Sequence, residues 1–340
     1  MMTAAQTDSY EVLRNGAGYM SLRDRRWISI AGADRATFLQ GLLTNDVVAL
    51  KPGAGCYSAC LTPQGRLMAD MYVFADKDRL VLDVHETVEQ SLAAHFENLI
   101  FSEDVTVRAL GPELSSFGVH GPGAGKVVSM FTPEPEKNLN MYEYVQIAFG
   151  IHVGFLVRTD DLGVEGYRLV IPREATEDLA ESLASTGASR VAEEAAVVVR
   201  VESGVPLFPI DMDTETLPLE AGIEDRAINF DKGCYVGQEV VIRILHRGQG
   251  RVARRLTGLV FHGWDGPDDL QVLRRAVVLA DDEEVGFLTS AAISPTLRCC
   301  VALGYVHRKI ADKSGRSVEI TVDDKQLQGS VRALPLVVSG

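Results

Sequence analysis

Long hydrophobic runs and cysteine are both scarce in this chain. Hydrophobic residues make up 46% of its 340 residues, yet no apolar run approaches the roughly 20 residues needed to cross a bilayer. The N-terminal segment also lacks the basic region followed by an apolar stretch that marks a secretory signal. The five cysteines are an odd and sparse set, which favours a reducing compartment over a disulfide framework. We therefore expect a cytoplasmic protein without a membrane span.

Positive charge is also in short supply. Lys and Arg total 33 against 47 Asp and Glu, which gives a net charge of −14. This excess of acid disfavours non-specific binding of nucleic acid by the whole surface. The seven histidines show no metal-ligand spacing and no Cys-x-x-Cys pair is present, so we expect no stable metal site.

The length of the chain and a change in its predicted secondary structure near residue 254 indicate more than one domain. A single hydrophobic core rarely extends beyond roughly 250 to 300 residues. Strand and helix patterns alternate over residues 1–254, whereas residues 255–340 show short β-rich runs with turn residues at 281–284 and 323–325 and no helix between the runs. These runs predict a small antiparallel barrel, and they fall at 256–261, 276–280, 285–290, 301–306, 318–322 and 327–334.

Two side chains stand out as candidates for chemistry. Asp70 lies in an apolar strand after the turn at 63–66, where a desolvated carboxylate could donate or accept a proton; a solvent-facing strand Asp is the alternative. Cys234 lies two residues from Lys232, a cation that would favour the reactive thiolate. The alternative for Cys234 is a small apolar residue at a tight turn.

Several segments resemble, in order, those of the glycine cleavage T-proteins, which are aminomethyltransferases. The match spans about residues 10–306, and its segments are 38–40, 43–47, 52–53, 57–58, 200–204, 211–213, 218–222, 289–290, 294–297 and 303–306. The resemblance implies an α+β fold, in which two α/β folate-binding units, one of them ferredoxin-like, and a C-terminal antiparallel β-barrel form a ring. Tetrahydrofolate would bind at its centre, and Asp70 falls on the position of the family's catalytic Asp.

The resemblance also implies a set of cofactor-binding residues, with two departures. Where T-proteins carry a folate-binding Glu after a Gly-aromatic pair, this chain has Arg168, and Ala196 stands where they usually have an Arg. Glu165 could then replace the missing acceptor for the pteridine ring. The residues expected to bind folate are Asp70, Glu165, Tyr167, Arg168 and Arg200.

One octapeptide is similar to the signature of the YgfZ-type branch of this superfamily, and it consists of Lys232, Gly233, Cys234, Tyr235, Val236, Gly237, Gln238 and Glu239. That branch is linked to the maturation or repair of iron-sulfur enzymes and, through them, to tRNA modification. The resemblance implies a tetrahydrofolate-binding accessory protein whose partners are iron-sulfur enzymes or assembly factors. Cys234 would be its reactive thiol, across the pocket from Asp70. A single thiol cannot hold a stable cluster, which ordinarily needs four ligands.

Two other hypotheses compete with this one. The first is a folate-dependent aminomethyltransferase or demethylase in which Asp70 acts as the general acid or base. The second is an RNA-binding module that uses a basic patch of Arg243, Arg247 and Arg251, which could instead hold the glutamate tail of folate or be a solvated surface. Because Gly248 and Gly250 disfavour a continuous helix, the sequence predicts strands or loops about a turn in this patch.

Overall fold

The computed structural model describes residues 3–132, 139–246, 248, 250–322 and 325–338. The strands, in chain order, are β1 Gly18–Ser21, β2 Arg25–Ala31, β3 Gly55–Leu61, β4 Leu67–Ala75, β5 Arg79–His85, β6 Thr106–Gly111, β7 Leu114–His120, β8 Tyr144–Phe149, β9 His152–Thr159, β10 Gly166–Pro172, β11 Ser189–Arg190, β12 Arg254–Phe261, β13 Val277–Ala280, β14 Glu283–Ser294, β15 Cys299–His307, β16 Ser317–Val322 and β17 Lys325–Arg332. The helices are α1 Ala4–Asn15, α2 Arg35–Gln40, α3 Glu89–Glu97, α4 Ala124–Val128, α5 Thr176–Ser185, α6 Glu193–Ser203, α7 Pro218–Ala221, α8 Glu224–Ala227, α9 Gln238–His246 and α10 Arg308–Ala311. Across these ranges, no helix is both long enough and apolar enough to span a membrane.

The first sheet has five strands in the order β3-β4-β5-β2-β6, and each neighbouring pair is antiparallel. Side chains alternate between its faces, as the period of a strand requires. Ala69, Met71 and Val73 of β4 point into a core that also contains side chains of α2 and α3. The intervening side chains of β4, which include Asp70 and Tyr72, lie on the opposite face.

The second sheet has six strands in the order β11-β1-β7-β10-β9-β8. On β10, Tyr167 and Leu169 pack into a core shared with α4 and α5, so Arg168 and Val170 occupy the other face. Val170 belongs to the same hydrophobic cluster as Tyr72 of the first sheet. The two sheets therefore meet through the faces that carry Asp70 and Arg168.

The strands β12 to β17 form a closed six-stranded antiparallel barrel in the order β12-β15-β14-β13-β16-β17. The predicted fold class, α+β with a C-terminal antiparallel barrel, is confirmed. The expectation that no helix interrupts the barrel strands is wrong, because α10 and the 3-10 turn Leu270–Leu273 lie between them. Both thiols of β15 are buried: Cys300 packs inside the barrel, and Cys299 packs in the cluster that joins the barrel to the sheets.

Glu202 of α6 connects the barrel to the N-terminal helix. Its buried carboxylate accepts hydrogen bonds from the Tyr10 hydroxyl at 2.9 Å and the Ser294 hydroxyl at 2.5 Å, and it pairs with Arg14. Because a buried charge is costly unless it is paired and hydrogen-bonded, these three partners account for its position. This junction fixes the orientation of the barrel against α1 and α6.

Candidate functional site

Asp70 lies on the face of the first sheet that meets the second sheet. It is 9% exposed, and its Oδ2 accepts a hydrogen bond of 2.7 Å from the Tyr57 hydroxyl on the neighbouring strand β3. Among the described residues no other side chain hydrogen-bonds to this carboxylate, so its second oxygen is available to a ligand. The expected desolvated strand carboxylate is present, and its orientation is set by Tyr57.

Aromatic side chains cover the surface beside Asp70, and we call them the aromatic wall: Tyr57, Tyr72, Phe74, Tyr142 and Tyr144. The Tyr72 ring lies 5.3 Å from Tyr57, 5.5 Å from Tyr142 and 6.4 Å from Phe74, between ring centres. Ring contacts at these distances are favourable beyond the area that they bury. Asp70, Tyr72 and Phe74 share this face because they alternate along β4.

Arg168 reaches the wall from the second sheet. Its Nε and Nη2 donate to the two carboxylate oxygens of Asp161 at 2.7 and 2.8 Å, it pairs with Asp83, and its guanidinium lies 4.6 Å from the centre of the Tyr72 ring. Burial alone would raise the pKa of Asp161, but the charge of Arg168 holds it well below its usual range. Arg168, expected to bind folate, is thus committed to two buried carboxylates.

Arg25 and Tyr72 complete this ion cluster. Arg25 Nε donates to Asp83 at 2.6 Å, and the Tyr72 hydroxyl donates to Asp161 at 2.7 Å. Asp83 of β5 is the cross-strand neighbour of Trp27 on β2 and of Tyr72 on β4. The three strands therefore lie side by side at the ion cluster. Because both oxygens of each carboxylate are already bonded, Asp83 and Asp161 are poor acceptors for a ligand.

Arg226 contributes a more accessible cation. Its guanidinium lies over the Tyr57 ring at 4.9 Å, and its Nη1 donates to Asp160 at 3.1 Å. The Arg226 side chain is 28% exposed, against 5% for Arg168. Sequence reasoning did not assign Arg226 to the site, and it included Tyr57 in a segment of the resemblance without giving it a role. The pairing of Tyr57 with Tyr72 across β3 and β4 places Tyr57 on the Asp70 face.

Glu165 and Tyr167 lie away from Asp70. Tyr167 is 2% exposed and packs in the core behind the second sheet, and its hydroxyl donates to Glu165 at 3.1 Å. The expected substitution of Glu165 for the missing pteridine acceptor is therefore not supported by its position. The structure brings only Asp70 and Arg168 of the five expected folate-binding residues to the same face.

Arg200 connects α6 to the barrel. Its Nη1 donates to Asp211 at 2.5 Å and its Nη2 donates to the Ser290 hydroxyl at 2.9 Å. Asp211 also accepts from Thr289 at 2.6 Å. The expected cofactor-binding Arg200 is thus occupied at a buried junction with β14, where its contacts hold the barrel in place.

His120 is a fully buried imidazole on the Arg168 face. Neither ring nitrogen has a hydrogen-bond partner within the described part of the chain, and burial lowers its pKa to about 4. The ring lies over two glycines, because a Cβ at Gly118 or Gly166 would come within 2.4 or 2.6 Å of its nitrogens. A neutral imidazole is thus built into the wall of the site.

A cavity of about 330 Å³ opens between the two sheets. Its walls carry Phe74 and Tyr144 of the aromatic wall, together with Trp27, Phe155 and Val170, and two arginines, Arg79 and Arg108, line it as well. A mostly apolar cavity with a few polar groups is the usual form of a small-molecule site. Phe74 lies on the same sheet face as Asp70, four residues further along β4, and Asp70 itself is not among the residues that line the cavity. In the described ranges, no group of three or more His, Cys, Asp or Glu side chains could hold a metal ion.

The octapeptide 232–239 forms a loop that leads into α9. Lys232 is buried, and its ammonium donates to the main-chain carbonyls of Gln40, Leu43 and Asn45 at 2.8, 2.6 and 2.8 Å. These bonds use all three ammonium hydrogens. The interpretation that Lys232 activates the Cys234 thiol is therefore not supported, because its charge is directed to residues 40–45.

The rest of the loop presents Cys234 to solvent. Gly233 and Cys234 are exposed, whereas Tyr235 is 7% exposed. Gly237 has φ +84°, and a Cβ there would come within 2.6 Å of the Thr62 carbonyl oxygen, so only glycine fits. Gln238 and Glu239 begin α9. The loop is held against residues 40–45 by Lys232 and by the Val236 amide, which donates to the Gly41 carbonyl at 3.1 Å.

The basic patch differs from its prediction. Arg243 lies on the exposed face of the helix α9, where strands or loops were expected. The two glycines that suggested a break come after the helix has ended at His246. Arg251 is exposed beyond it, and Arg247 lies outside the described residues.

Comparison with known families gives two matches that together cover most of the chain. Residues 2–232 match the model of the GCVT N-terminal domain. Residues 254–337 match the glycine cleavage T-protein C-terminal barrel domain. The second match coincides with the closed barrel.

Curated relatives and a solved structure agree with these matches. The aminomethyltransferase of Cupriavidus metallidurans is 28% identical over 99% of this chain and 90% of its own length, and that of a Nostoc species is 27% identical over 94% and 84%. The glycine cleavage system aminomethyltransferase T of Bartonella henselae has the same fold, with a TM-score of 0.83 and 23% identity over 98% of this chain and 90% of that chain. The chain belongs to the glycine cleavage T-protein family.

Proposed function

We propose that this protein binds tetrahydrofolate and transfers a one-carbon unit to it from an amine, with Asp70 as the group that handles the proton. The observation that carries the proposal is the Asp70 carboxylate, which Tyr57 holds at 2.7 Å while its second oxygen remains available. A carboxylate in that position can take a proton from an amine or return one to it. The names of the curated relatives, aminomethyltransferases, support this reading.

The cavity between the sheets supports folate as the ligand. Its aromatic and aliphatic walls suit a flat ring system. Arg79 and Arg108 line it beside their ion-pair partners Asp76 and Glu113, and both pairs are solvent-exposed, so the carboxylates of a glutamate tail can replace those partners. Tetrahydrofolate would supply the nitrogen that accepts the one-carbon unit. Because Arg168 and Ala196 replace two polar anchors implied by the resemblance, we expect the pteridine to be held mainly by stacking and by Asp70.

Calorimetric titration with tetrahydrofolate tests the proposal. The wild-type protein should bind tetrahydrofolate, and Asp70→Asn should bind it but lose turnover with an amine donor. Asp231→Asn, an exposed carboxylate outside the site, is the matched control and should behave as wild type. If the wild-type protein does not bind tetrahydrofolate, the proposed function is wrong and only the fold assignment stands.

A second candidate is the YgfZ-type role in iron-sulfur enzyme maintenance, with effects on tRNA modification through client enzymes. One observation favours it: Cys234 is the exposed member of the five cysteines, and the buried anchors Lys232 and Tyr235 flank it. Cells that carry Cys234→Ala should lose activity of their cluster-dependent tRNA-thiolating enzymes. Full activity in those cells would remove this candidate.

A further inference from the structure

Two groups of opposite charge flank the ring of Tyr57. The Arg226 guanidinium lies over the ring at 4.9 Å from its centre, and the Asp70 carboxylate lies at the hydroxyl end, 2.7 Å from the oxygen. Both groups keep unused hydrogen-bonding capacity. Among the described residues, only Asp160 accepts from the Arg226 side chain, which leaves four of its five N–H donors.

Arg226 differs from the other arginines on this wall. Arg25 and Arg168 are 8% and 5% exposed; both pair with the buried Asp83, and Arg168 pairs with Asp161 as well. Arg226 is 28% exposed, and Asp160 raises its pKa against the opposing effect of burial, so it is charged at any physiological pH. Of these three arginines beside the aromatic wall, Arg226 is therefore the one that can bind an anion from solvent.

The spacing of the two groups defines the ligand. A phenol oxygen lies about 2.8 Å from its ring centre, so the Arg226 guanidinium carbon and the Asp70 Oδ2 are at most about 10 Å apart. An α-amino acid spans that distance when its carboxylate and its nitrogen each form a hydrogen bond of about 2.9 Å. Guanidinium and carboxylate pairs of this kind are strong and directional.

We propose that Arg226 and Asp70 form a two-point site for a small amine that carries a carboxylate on the adjacent carbon, such as an N-methylated α-amino acid. The carboxylate binds Arg226 and the amine nitrogen faces Asp70. This proposal rests on the proposed function, for which it names the class of one-carbon donor. In the transfer, the bond between the donor nitrogen and its methyl carbon would break and a tetrahydrofolate nitrogen would bond to that carbon. Asp70 would take the proton that this nitrogen loses and return it to the departing amine, so the step needs no oxidant. It assigns Arg226 as the residue that selects donors with a carboxylate over simple amines.

N-methylglycine is the probe, and ligand-observed NMR measures its binding. The wild-type protein should bind N-methylglycine at least tenfold more tightly than methylamine or acetate, each of which lacks one of the two charges. Arg226→Gln and Asp70→Asn should each weaken binding at least tenfold, whereas Arg226→Lys should retain part of it. Arg255→Gln, in the exposed pair with Asp312, is the control and should bind as the wild type does.

Two outcomes would overturn the proposal. Equal affinity for acetate and N-methylglycine would show a plain anion site, and unchanged affinity in Arg226→Gln would remove the assigned residue. The other source of a carboxylate is the glutamate tail of folate. Tetrahydropteroate lacks the glutamate. If Arg226→Gln weakens binding of tetrahydrofolate but not of tetrahydropteroate, then Arg226 binds the glutamate tail of folate and the proposal is wrong. If the wild-type protein does not bind tetrahydrofolate, the proposed function is contradicted, whether or not N-methylglycine binds.

Discussion

The guanidinium of Arg168 faces the carboxylate of Asp161 through two hydrogen bonds, from Nε at 2.7 Å and from Nη2 at 2.8 Å. The same guanidinium pairs with Asp83 on the opposing sheet. Asp161 belongs to the turn between β9 and β10, and Asp83 belongs to β5 of the other sheet. One side chain thus joins the two sheets across the face that carries Asp70.

Substitution of Arg168 should destabilise the protein strongly. Arg168→Gln leaves Asp83 and Asp161 buried without their common partner, and breaking a buried ion pair from one side costs about 3 to 5 kcal/mol. Urea unfolding measures the loss. Arg108→Gln is the control, because Arg108 and Glu113 form an exposed pair, and it should change stability by less than about 1 kcal/mol.

Arg168→Glu restores the residue type that T-proteins carry by the resemblance. It should destabilise more than Arg168→Gln, since a third carboxylate would join Asp161, which has lost its guanidinium partner, and Asp83, which keeps only Arg25. A stability equal to that of the wild type would show that the ion cluster is not what holds the sheets together at this point.

His120 should make the protein sensitive to mild acid. Its folded pKa is about 4, lowered from 6.5 by burial, so between pH 6.5 and 4 the unfolded chain takes up a proton that the folded chain does not. The contribution is fully present above pH 6.5 and is lost as the pH falls through that window, by about 3 kcal/mol in all.

The thermal midpoint between pH 7 and 4 measures this effect. His120→Phe keeps a flat ring between Gly118 and Gly166 but cannot titrate, so its midpoint should fall less steeply over the window. His262→Asn, at an exposed position, should keep the wild-type slope. A variant His120→Phe with an unchanged slope would contradict the assignment.

Thiol reactivity should separate Cys234 from the other four cysteines. Cys56, Cys60, Cys299 and Cys300 are buried, and burial raises the pKa of Cys56 and Cys60 to about 12, which leaves little thiolate. Titration with a coloured disulfide reagent should detect one thiol in the native protein and five after unfolding. Cys234→Ser should show none in the native state, and two or more native thiols in the wild type would contradict the burial of the others.

Local patterns predicted much of the fold, because strands and tight turns leave local signals. The alternation of apolar side chains and the turn at Asp281 and Asp282 predicted the barrel, and both turn residues have positive φ in the structure. The same logic failed for α9, where Gly248 and Gly250 suggested a break. They follow the helix rather than interrupt it, and Val241 anchors the helix to the core.

The site was predicted only in part, because its contacts join distant segments. Asp70 was identified from its strand and from the family resemblance. Its partner Tyr57 lies in a segment of the resemblance that names no role for it, Arg226 lies in no motif, and only the folded sheets bring the three side chains together. Arg168 was singled out as a departure from the family pattern, but its ion pair with Asp83 on the other sheet is a tertiary contact that no sequence window contains.

Lys232 should hold the Cys234 loop closed. Its three bonds to the carbonyls of Gln40, Leu43 and Asn45 are charge-assisted, and Lys232→Met should cost about 2 to 4 kcal/mol because it leaves buried acceptors without a donor. The Val236 amide, which donates to Gly41 at 3.1 Å, reports on the loop by hydrogen exchange. Its exchange should accelerate more in Lys232→Met than that of amides in β15, while Lys309→Met, at an exposed position, should leave both unchanged. Equal acceleration at Val236 and in β15 would mean that Lys232 supports the whole fold and not the loop in particular.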